Sequence, residues 1–294
     1  MVAERINEPL LAIVGETASG KSALGLALAE QLNGEIICAD SRTIYQGMDI
    51  GTAKPSLAEQ TRVRHHCLDI VDPNQPFSAA DFKKAAEAAM ADMRSRGKLP
   101  IIVGGTGLYV DALLYDFQFR PVADPLERQR LNTLTVAELQ DELDRKGITL
   151  PENSRNPRHL IRALETDGVT AERGELPPQT VILGLQTDRA DLNQRIGERV
   201  EAMMKAGLEA EVGKLQQVYG WDAPGMQAIG YREWPDYFSG SLSLDTVTKS
   251  IIKSTQKLAK RQRTWFKRNN SVQWLVNGEA LDHVVDIVTT KMNK

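Results

Sequence analysis

A glycine-rich segment near the start of the chain has the residue types that bind phosphate. Residues 15–22 follow the pattern Gly-x-x-x-x-Gly-Lys-Ser. The glycines let backbone N–H groups turn inward onto phosphate oxygens, Lys21 adds a positive charge, and Ser22 offers a hydroxyl to Mg²⁺. We therefore predict a phosphate site made of Gly15, Glu16, Thr17, Ala18, Ser19, Gly20, Lys21 and Ser22.

The elements around this loop support that prediction. An apolar run at 10–14 precedes the loop, and a helical pattern from 21 to about 31 follows it, so the order is strand, loop, helix. Further continuous apolar runs at 35–39, 99–103, 181–185 and 272–276 are typical of parallel strands covered on both faces. The sequence therefore predicts an α/β fold, with a P-loop NTPase-like parallel sheet of about five strands flanked by helices.

Two helical regions are recognisable, a crossover helix and an insertion that contains two helical patterns. Ser78 and Asp81 form a helix-start pattern that opens a crossover helix ending near Gly97. Helical patterns at 136–146 and 158–167 are separated by prolines, without an obvious strand. We predict a helical insertion domain at 120–178 within a core formed by 1–119 and 179–294.

The charge distribution is uneven. The net charge is −3, which gives no general indication of nucleic-acid binding. However, no acidic residue lies between Asp245 and Glu279, whereas eight lysines and arginines do. On a long helix at about 243–268 these cations recur every three or four positions, so many share a face that can bind a polyanion.

Several classes are disfavoured by the sequence. No secretory signal and no apolar stretch of about 20 residues is present, so we expect no membrane association. Cys38 and Cys67 lack metal or redox spacing, which favours a reducing, cytoplasmic location. His65 and His66 are adjacent in an extended segment, where neighbouring side chains point apart, so they are poor metal ligands. We expect a monomer.

The loop alone leaves its ligand open. Most proteins with such a loop act on the γ-phosphoryl group of a nucleotide and hold Mg²⁺ with a second carboxylate. Asp40 and Asp72, which follow apolar or extended runs, are candidates for that carboxylate. A kinase with ATP on the loop is therefore one hypothesis.

Six segments, in order across nearly the whole chain, resemble those of tRNA dimethylallyltransferases. Residues 39–55 are the most specific, reading Ala-Asp-Ser-Arg-Thr-Ile-Tyr-Gln-Gly-Met-Asp-Ile-Gly-Thr-Ala-Lys-Pro. The others are 15–22, His-His-Cys-Leu-Asp-Ile at 65–70, Gly-Gly-Thr-Gly-Leu-Tyr at 104–109, Gly-Tyr-Arg-Glu at 230–233, and Ala-Lys-Arg-Gln-Arg-Thr-Trp-Phe at 259–266.

The resemblance implies a reaction. A dimethylallyl group passes from dimethylallyl diphosphate to N6 of the adenosine adjacent to the anticodon (position 37), in tRNAs that read codons beginning with U, and pyrophosphate is released. Asp40 matches the family residue that binds the adenine amino group and takes its proton, with Mg²⁺ ligation as the alternative role. Arg232 matches the arginine on the pyrophosphate, and Lys21, Thr17 and Thr106 match groups near the donor and target.

The resemblance also implies contacts with the tRNA anticodon stem-loop. His159 departs from the family, in which arginine is common, and the insertion is shorter than usual between Arg130 and Arg158. The candidate tRNA contacts are Asp40, Ser41, Arg42, Thr43, Thr106, Arg128, Arg158, His159, Arg162, Lys260, Arg261 and Arg263. The alternatives are the kinase, a prenyltransferase acting on free AMP or ATP, and a tRNA-binding protein without catalysis.

Overall fold

The fold consists of two compact units. A computed structural model describes residues 8–119, 124–169, 172–276 and 279–292. The first unit comprises Met1–Leu114 with Leu176–Lys294, and the second comprises Tyr115–Glu175. The sequence predicted an insertion at 120–178, whose first residue, Arg120, lies outside the described residues.

A parallel sheet forms the first unit, and it confirms the predicted fold class. Its order is β3-β2-β4-β1-β5-β6, and every pair is parallel. The expected number of about five strands was wrong by one, because β3 has only two residues and lies at the edge of the sheet. The strands are β1 Leu10–Gly15, β2 Gly34–Ala39, β3 His65–His66, β4 Leu99–Gly104, β5 Thr180–Gln186 and β6 Val272–Val276.

Helices cover this sheet. All six residues of β1 and of β2 are buried, as the continuous apolar runs predict. One buried cluster joins β1, β4 and β5 to α1 and α12. The helices of this unit are α1 Lys21–Gln31, α2 Leu57–Arg62, α3 Ala79–Ser95, α4 Gly107–Leu114, α8 Arg189–Lys205, α9 Leu208–Tyr219, α10 Pro235–Phe238, α11 Leu244–Phe266 and α12 Leu281–Met292.

The ends of two helices match their sequence signals. Ser78 accepts from the N–H of Asp81, and the Asp81 side chain accepts from the N–H of Ser78, so a capping box starts α3. Ser243 caps the basic helix α11 by accepting from Thr246 N. Among the residues that the structure describes, every helix is too short or too polar to cross a lipid bilayer.

The second unit contains three described helices with their own core. They are α5 Pro125–Asn132, α6 Val136–Arg145 and α7 Pro157–Glu165. The sequence predicts α6 and α7 but not α5, whose residues are mostly charged or polar. Its start is nevertheless encoded, because Asp124 caps the helix and Pro125 occupies its first turn. The buried core residues are Leu131, Leu139, Leu143, Leu160, Ile161 and Leu164.

The close pairing of β2 with β4 leads to a stability prediction. A Cβ on Gly104 would overlap the backbone carbonyl of Ala39, its partner in register. Because backbone on both sides is fixed by the sheet, we expect Gly104→Ala to lower the free energy of unfolding by about 1–3 kcal/mol. Gly197, inside α8, has open space around its Cα, so Gly197→Ala should stabilise by about 0.5–1 kcal/mol. Urea unfolding of the two variants measures the contrast. Equal midpoints for Gly104→Ala and the wild type would contradict the close approach.

Candidate active site

The phosphate loop lies between β1 and α1, as predicted. Gly20, the residue before α1, is left-handed with φ 97° and provides no side-chain cap. The first N–H groups of α1 are therefore open to a ligand, and the positive end of the helix dipole faces the same way. Ala18 is also left-handed, at φ 62°. Lys21 Nζ donates to the carbonyl of Glu16 at 3.0 Å, so this hydrogen bond joins the two ends of the loop.

The environment of Lys21 prepares it for an anion. Burial lowers the pKa of Lys21 to about 8, against the opposing effect of Asp40 and with a further lowering by Arg199. A diphosphate beside the ammonium would favour its charged form and raise this pKa again. The loop therefore binds an anion most strongly when Lys21 carries its proton.

The basic helix α11 holds the phosphate loop in place. Gln262 is buried, and its Oε1 accepts from the N–H of Thr17 at 2.8 Å while its Nε2 donates to the carbonyl of Gly105 at 3.0 Å. A side chain on Gly105 would overlap this amide. Arg263 donates to both carboxylate oxygens of Glu16 at 2.9 Å. Arg263, a predicted tRNA contact, therefore binds the phosphate loop through the buried carboxylate of Glu16.

Asp40 and Thr106 meet where β2 and β4 end. Asp40 directly follows β2, and its Oδ1 accepts from the N–H of Arg42 at 2.8 Å. Thr106 Oγ1 accepts from Ser41 N at 3.0 Å, and Thr106 N donates to Ala39 O at 3.1 Å. In the described part of the chain, Asp40 Oδ2 has no hydrogen bond. One carboxylate oxygen is therefore positioned by the backbone while the other is available to a substrate.

A cavity of about 410 Å³ gathers most of the predicted catalytic groups. Asp40, Thr106 and Arg232 line it, with Thr17 of the phosphate loop. Its apolar wall comes from Ile196, Val200, Met203, Ile229, Ile251 and Leu258. A site with a carboxylate, an arginine and an apolar wall is suited to an organic substrate that carries negative charge.

A second cavity of about 390 Å³ lies against the phosphate loop. Ala18, Gly20, Lys21 and Ser22 line it, so it contains the loop groups that the sequence assigns to phosphate. Arg199 lines both this cavity and the first one. The two cavities therefore approach each other at this arginine.

The segment 40–55 is fixed by a carboxylate on α9. The two oxygens of Glu211 accept from three consecutive backbone N–H groups, those of Asp49 at 3.1 Å, Ile50 at 2.8 Å and Gly51 at 3.1 Å. Tyr231 Oη donates to the same carboxylate at 2.6 Å. Gly51 lines the first cavity, and so does Arg232, which follows Tyr231 in the chain. Glu211 therefore links two walls of this cavity.

The predicted tRNA contacts are in different settings. Lys260, Arg261, Arg158 and His159 are exposed, whereas Thr43 is buried and does not face solvent. In the second unit, two of the three predicted arginines bind one buried carboxylate: Arg128 is 2.6 Å and Arg162 is 3.3 Å from Glu165. In the first unit, Arg261 and the partly exposed Trp265 line the cavity, and Trp265 Nε1 donates to Asp111 at 2.9 Å.

The fold and the site define a P-loop α/β protein whose phosphate loop adjoins a cavity with an apolar wall and a free carboxylate oxygen. A family model described as IPP transferase matches residues 43–269, and the chain belongs to the IPP transferase family.

Curated relatives and solved structures agree with this assignment. "tRNA dimethylallyltransferase 1" of Trichlorobacter lovleyi is 44% identical, over 92% of this chain and 94% of that protein. "tRNA dimethylallyltransferase 2" of Geotalea daltonii is 42% identical, over 95% and 91%. The full-length tRNA isopentenylpyrophosphate transferase from Bacillus halodurans superposes with a TM-score of 0.77 at 37% identity, covering 97% of both chains. A eukaryotic dimethylallyltransferase, 23% identical with a TM-score of 0.83, shares the fold over 97% of this chain and 80% of its own.

Two residues of the site escaped the sequence analysis. Gln262 lies inside the segment 259–266, but nothing in the sequence distinguishes it from an exposed polar residue among charged neighbours. Arg199 follows the buried positions Leu192 and Ile196 of α8 at helical spacing. An arginine beside the apolar face of a helix is a sequence signal for a buried or half-buried cation.

The amide of Gln262 gives a prediction for stability and ligand binding. Gln262→Leu leaves the Thr17 N–H and the Gly105 carbonyl without partners, which costs on the order of 1–3 kcal/mol for each buried group. We expect a lower free energy of unfolding and weaker pyrophosphate binding, measured by urea unfolding and calorimetry. Gln256→Leu is the matched control, because Gln256 on the same helix has no hydrogen bond in the described residues. If Gln262→Leu and Gln256→Leu have the same free energy of unfolding and the same pyrophosphate affinity, the hydrogen bonds of Gln262 contribute to neither.

Proposed function

We propose that this chain transfers a dimethylallyl group from dimethylallyl diphosphate to N6 of the adenosine adjacent to the anticodon of tRNA. The observation that carries the proposal is the first cavity, in which Asp40, Thr106 and Arg232 meet an apolar wall beside the phosphate loop. Membership of the IPP transferase family supports the same chemistry.

The transfer replaces one bond at carbon by another. The N6 lone pair of adenine attacks C1 of the dimethylallyl group, the C1–O bond breaks, and the bonding electrons leave with pyrophosphate. The proton on N6 passes to Asp40, whose Oδ2 is available while Oδ1 is held by Arg42 N. Because negative charge grows on the departing oxygen, Lys21, Arg232 and the N–H groups of α1 stabilise the transition state more than the ground state.

The apolar wall serves the five-carbon group. Ile196, Val200 and Met203 project from α8, while Ile251 and Leu258 project from α11. These side chains can cover an allylic group without offering it a nucleophile. Exclusion of water also protects an electron-poor carbon from hydrolysis, which would otherwise consume the donor.

A polynucleotide substrate fits the surface at the mouth of this cavity. An adenine inside a folded RNA must leave its stack to reach Asp40. Lys260 and Arg261 are exposed on α11, and Arg261 itself lines the cavity. Cations at the entrance can bind the phosphates on either side of an extruded base. The proposal includes the acceptor, the adenosine at position 37, and the restriction to tRNAs that read codons beginning with U.

Magnesium fits the loop as a partner of the bound diphosphate. Among the described residues, no group of three His, Cys, Asp or Glu side chains could hold a metal by itself. Ser22 at the start of α1 lines the second cavity. Its hydroxyl would hold Mg²⁺ together with diphosphate oxygens and water, and the ion would neutralise part of the leaving-group charge.

A labelling assay with three different acceptors tests the proposed function. The protein is incubated with Mg²⁺, labelled dimethylallyl diphosphate, and either tRNA, AMP or ATP, and label in each acceptor is counted. We expect label in tRNA only and no release of phosphate from ATP. Label in AMP but not tRNA would indicate a free-nucleotide prenyltransferase, ATP turnover a kinase, and binding of tRNA without label a non-catalytic protein.

Substitution of Asp40 separates its two possible roles. Without the carboxylate as proton acceptor, we expect Asp40→Ala to reduce single-turnover transfer by at least about 10²-fold, the usual range for a general base. Pyrophosphate affinity should stay within about threefold, since among the described residues Asp40 forms no hydrogen bond or ion pair with the loop that binds it. Asp72→Asn is the control, because Asp72 accepts from Asn74 N and Tyr219 Oη and lines neither cavity. A large loss of Mg²⁺-dependent pyrophosphate binding in Asp40→Ala would favour the metal-ligand role.

The lowered pKa of Lys21 predicts a pH dependence of donor binding. Burial holds this pKa at about 8 in the free protein, and a bound diphosphate raises it. Affinity is therefore highest below pH 8 and falls as pH rises, by up to about tenfold per pH unit until the pKa of the complex is reached. Calorimetry with an unreactive thio analogue of the donor, from pH 7 to 9.5, measures the slope. Lys21→Arg should give a flat profile, and a flat profile in the wild type would contradict the prediction.

A further inference from the structure

The carboxylate of Glu211 has a hydrogen-bond donor for each of its lone-pair positions. Oε2 accepts from the N–H groups of Asp49 at 3.1 Å and Ile50 at 2.8 Å. Oε1 accepts from the N–H of Gly51 at 3.1 Å and from Tyr231 Oη at 2.6 Å. A carboxylate has about four such positions, and hydrogen bonds to a charged acceptor are stronger than those between neutral groups. Glu211 therefore fixes these four donors relative to one another.

The three backbone donors belong to the segment 40–55, which begins with Asp40. Lys54 cross-links this segment internally, because its Nζ donates to the carbonyl of Tyr45 at 3.0 Å and to Asp49 Oδ1 at 2.6 Å. Asp40 itself lines the first cavity. The carboxylate on α9 therefore holds a cross-linked piece of chain that carries the proposed proton acceptor.

The fourth donor, Tyr231, fixes the part of the chain that carries Arg232. Tyr231 is fully buried, and a side chain on Gly51 would overlap its ring, so the two residues are in close contact. Burial raises the pKa of Tyr231, and Glu211 adds to the effect, so the hydroxyl keeps its proton and remains a donor. Because Arg232 follows Tyr231 directly, the backbone of the arginine is held at a fixed distance from Gly51.

The side chain of Arg232 is directed by the residue that follows it. Glu233 Oε1 accepts from Arg232 Nε at 3.2 Å, and Glu233 Oε2 accepts from Gly230 N at 2.9 Å. Within the described ranges, the two terminal nitrogens of Arg232 form no hydrogen bond, and the residue lines the first cavity. These terminal N–H groups are therefore available to a diphosphate, and their direction depends on where residues 230–233 are held.

The proposed reaction requires this arrangement to be accurate. N6 must approach C1 nearly in line with the departing oxygen, so the proton acceptor and the cation on the leaving group must keep a fixed separation. A misplacement of about 1 Å can reduce the rate of such a step by about 10²-fold. A contact that holds both groups therefore influences the rate without touching either substrate.

We propose that Glu211 is a positioning residue of the transfer reaction, which fixes Arg232 relative to the segment that begins at Asp40. The proposal rests on the proposed function for its chemistry. Glu211 is not among the described residues that line the first cavity, and it acts through Tyr231 and the backbone of residues 49–51. The proton of N6 still passes to Asp40, and the bonding electrons still leave with pyrophosphate.

Two substitutions remove this contact to different extents. Tyr231→Phe removes one hydrogen bond to Glu211 and keeps the ring that packs against Gly51. We expect single-turnover transfer to tRNA to fall about 10- to 100-fold, and pyrophosphate affinity to fall about fivefold. Glu211→Gln keeps the size of the side chain but replaces an acceptor oxygen with an NH₂ donor, so it should lose at least as much rate. Rates are compared at a temperature at which every variant is folded.

Tyr237→Phe is the matched control. Tyr237 Oη donates to Glu209 Oε1 at 2.9 Å, which is the same kind of pair on the same helix α9. Neither Tyr237 nor Glu209 is among the described residues that line the first cavity. This substitution should leave the transfer rate and the pyrophosphate affinity unchanged, even if it lowers the Tm as much as Tyr231→Phe does.

A double-mutant cycle shows whether Tyr231 acts through Arg232. In the Arg232→Met background, Tyr231→Phe should change neither the rate nor the pyrophosphate affinity by more than about twofold. A full loss in that background, an unchanged rate in Tyr231→Phe or Glu211→Gln, or an equal loss in Tyr237→Phe would overturn the inference. Pyrophosphate binding needs no transfer, so the cycle still tests the inference if the wild type transfers no label to tRNA, an outcome that would refute only the proposed function.

Discussion

The amide of Gln262 is the contact on which the geometry of the site depends. It binds the N–H of Thr17 in the phosphate loop and the carbonyl of Gly105 after β4, residues that are 245 and 157 positions away in the chain. The next residue, Arg263, holds Glu16 of the same loop through two hydrogen bonds. Because one amide satisfies a donor and an acceptor that would otherwise be buried without partners, the loop, the end of β4 and α11 must keep a common geometry.

The charges of the site are arranged for a polyanion. Burial lowers the pKa of both Lys21 and Arg199, and Arg199 lowers the pKa of Lys21 further. Asp40 is the acidic residue that opposes both effects, yet it forms no ion pair with either in the described structure. A diphosphate restores the balance by adding several negative charges at the same place. The free protein therefore holds electrostatic repulsion that the proposed diphosphate donor would relieve, as expected of preorganised catalytic sites.

Sequence reasoning was most successful where structure depends on neighbouring residues. The strand, loop and helix around Gly15–Ser22 and the capping box of Ser78 and Asp81 are encoded within a few positions, and both were predicted. The two-residue strand β3 was missed because pairing at a sheet edge, rather than its own composition, defines it. Gln262 and Arg199 were missed because their roles arise from contacts between distant segments. For the same reason the sequence could not show that Arg263, among several exposed cations of α11, turns inward to Glu16.

One helix supplies both the groups suited to RNA and the groups that shape the donor loop. On α11, Lys260 and Arg261 are exposed, whereas Gln262 and Arg263 bind residues 16, 17 and 105. Any shift of this helix that favours RNA binding also moves the partners of the loop. Thermodynamic linkage then requires that RNA alter donor affinity by the same factor as the donor alters RNA affinity. The helix is therefore the physical route by which the proposed donor and tRNA can influence each other's binding before the carbon is transferred.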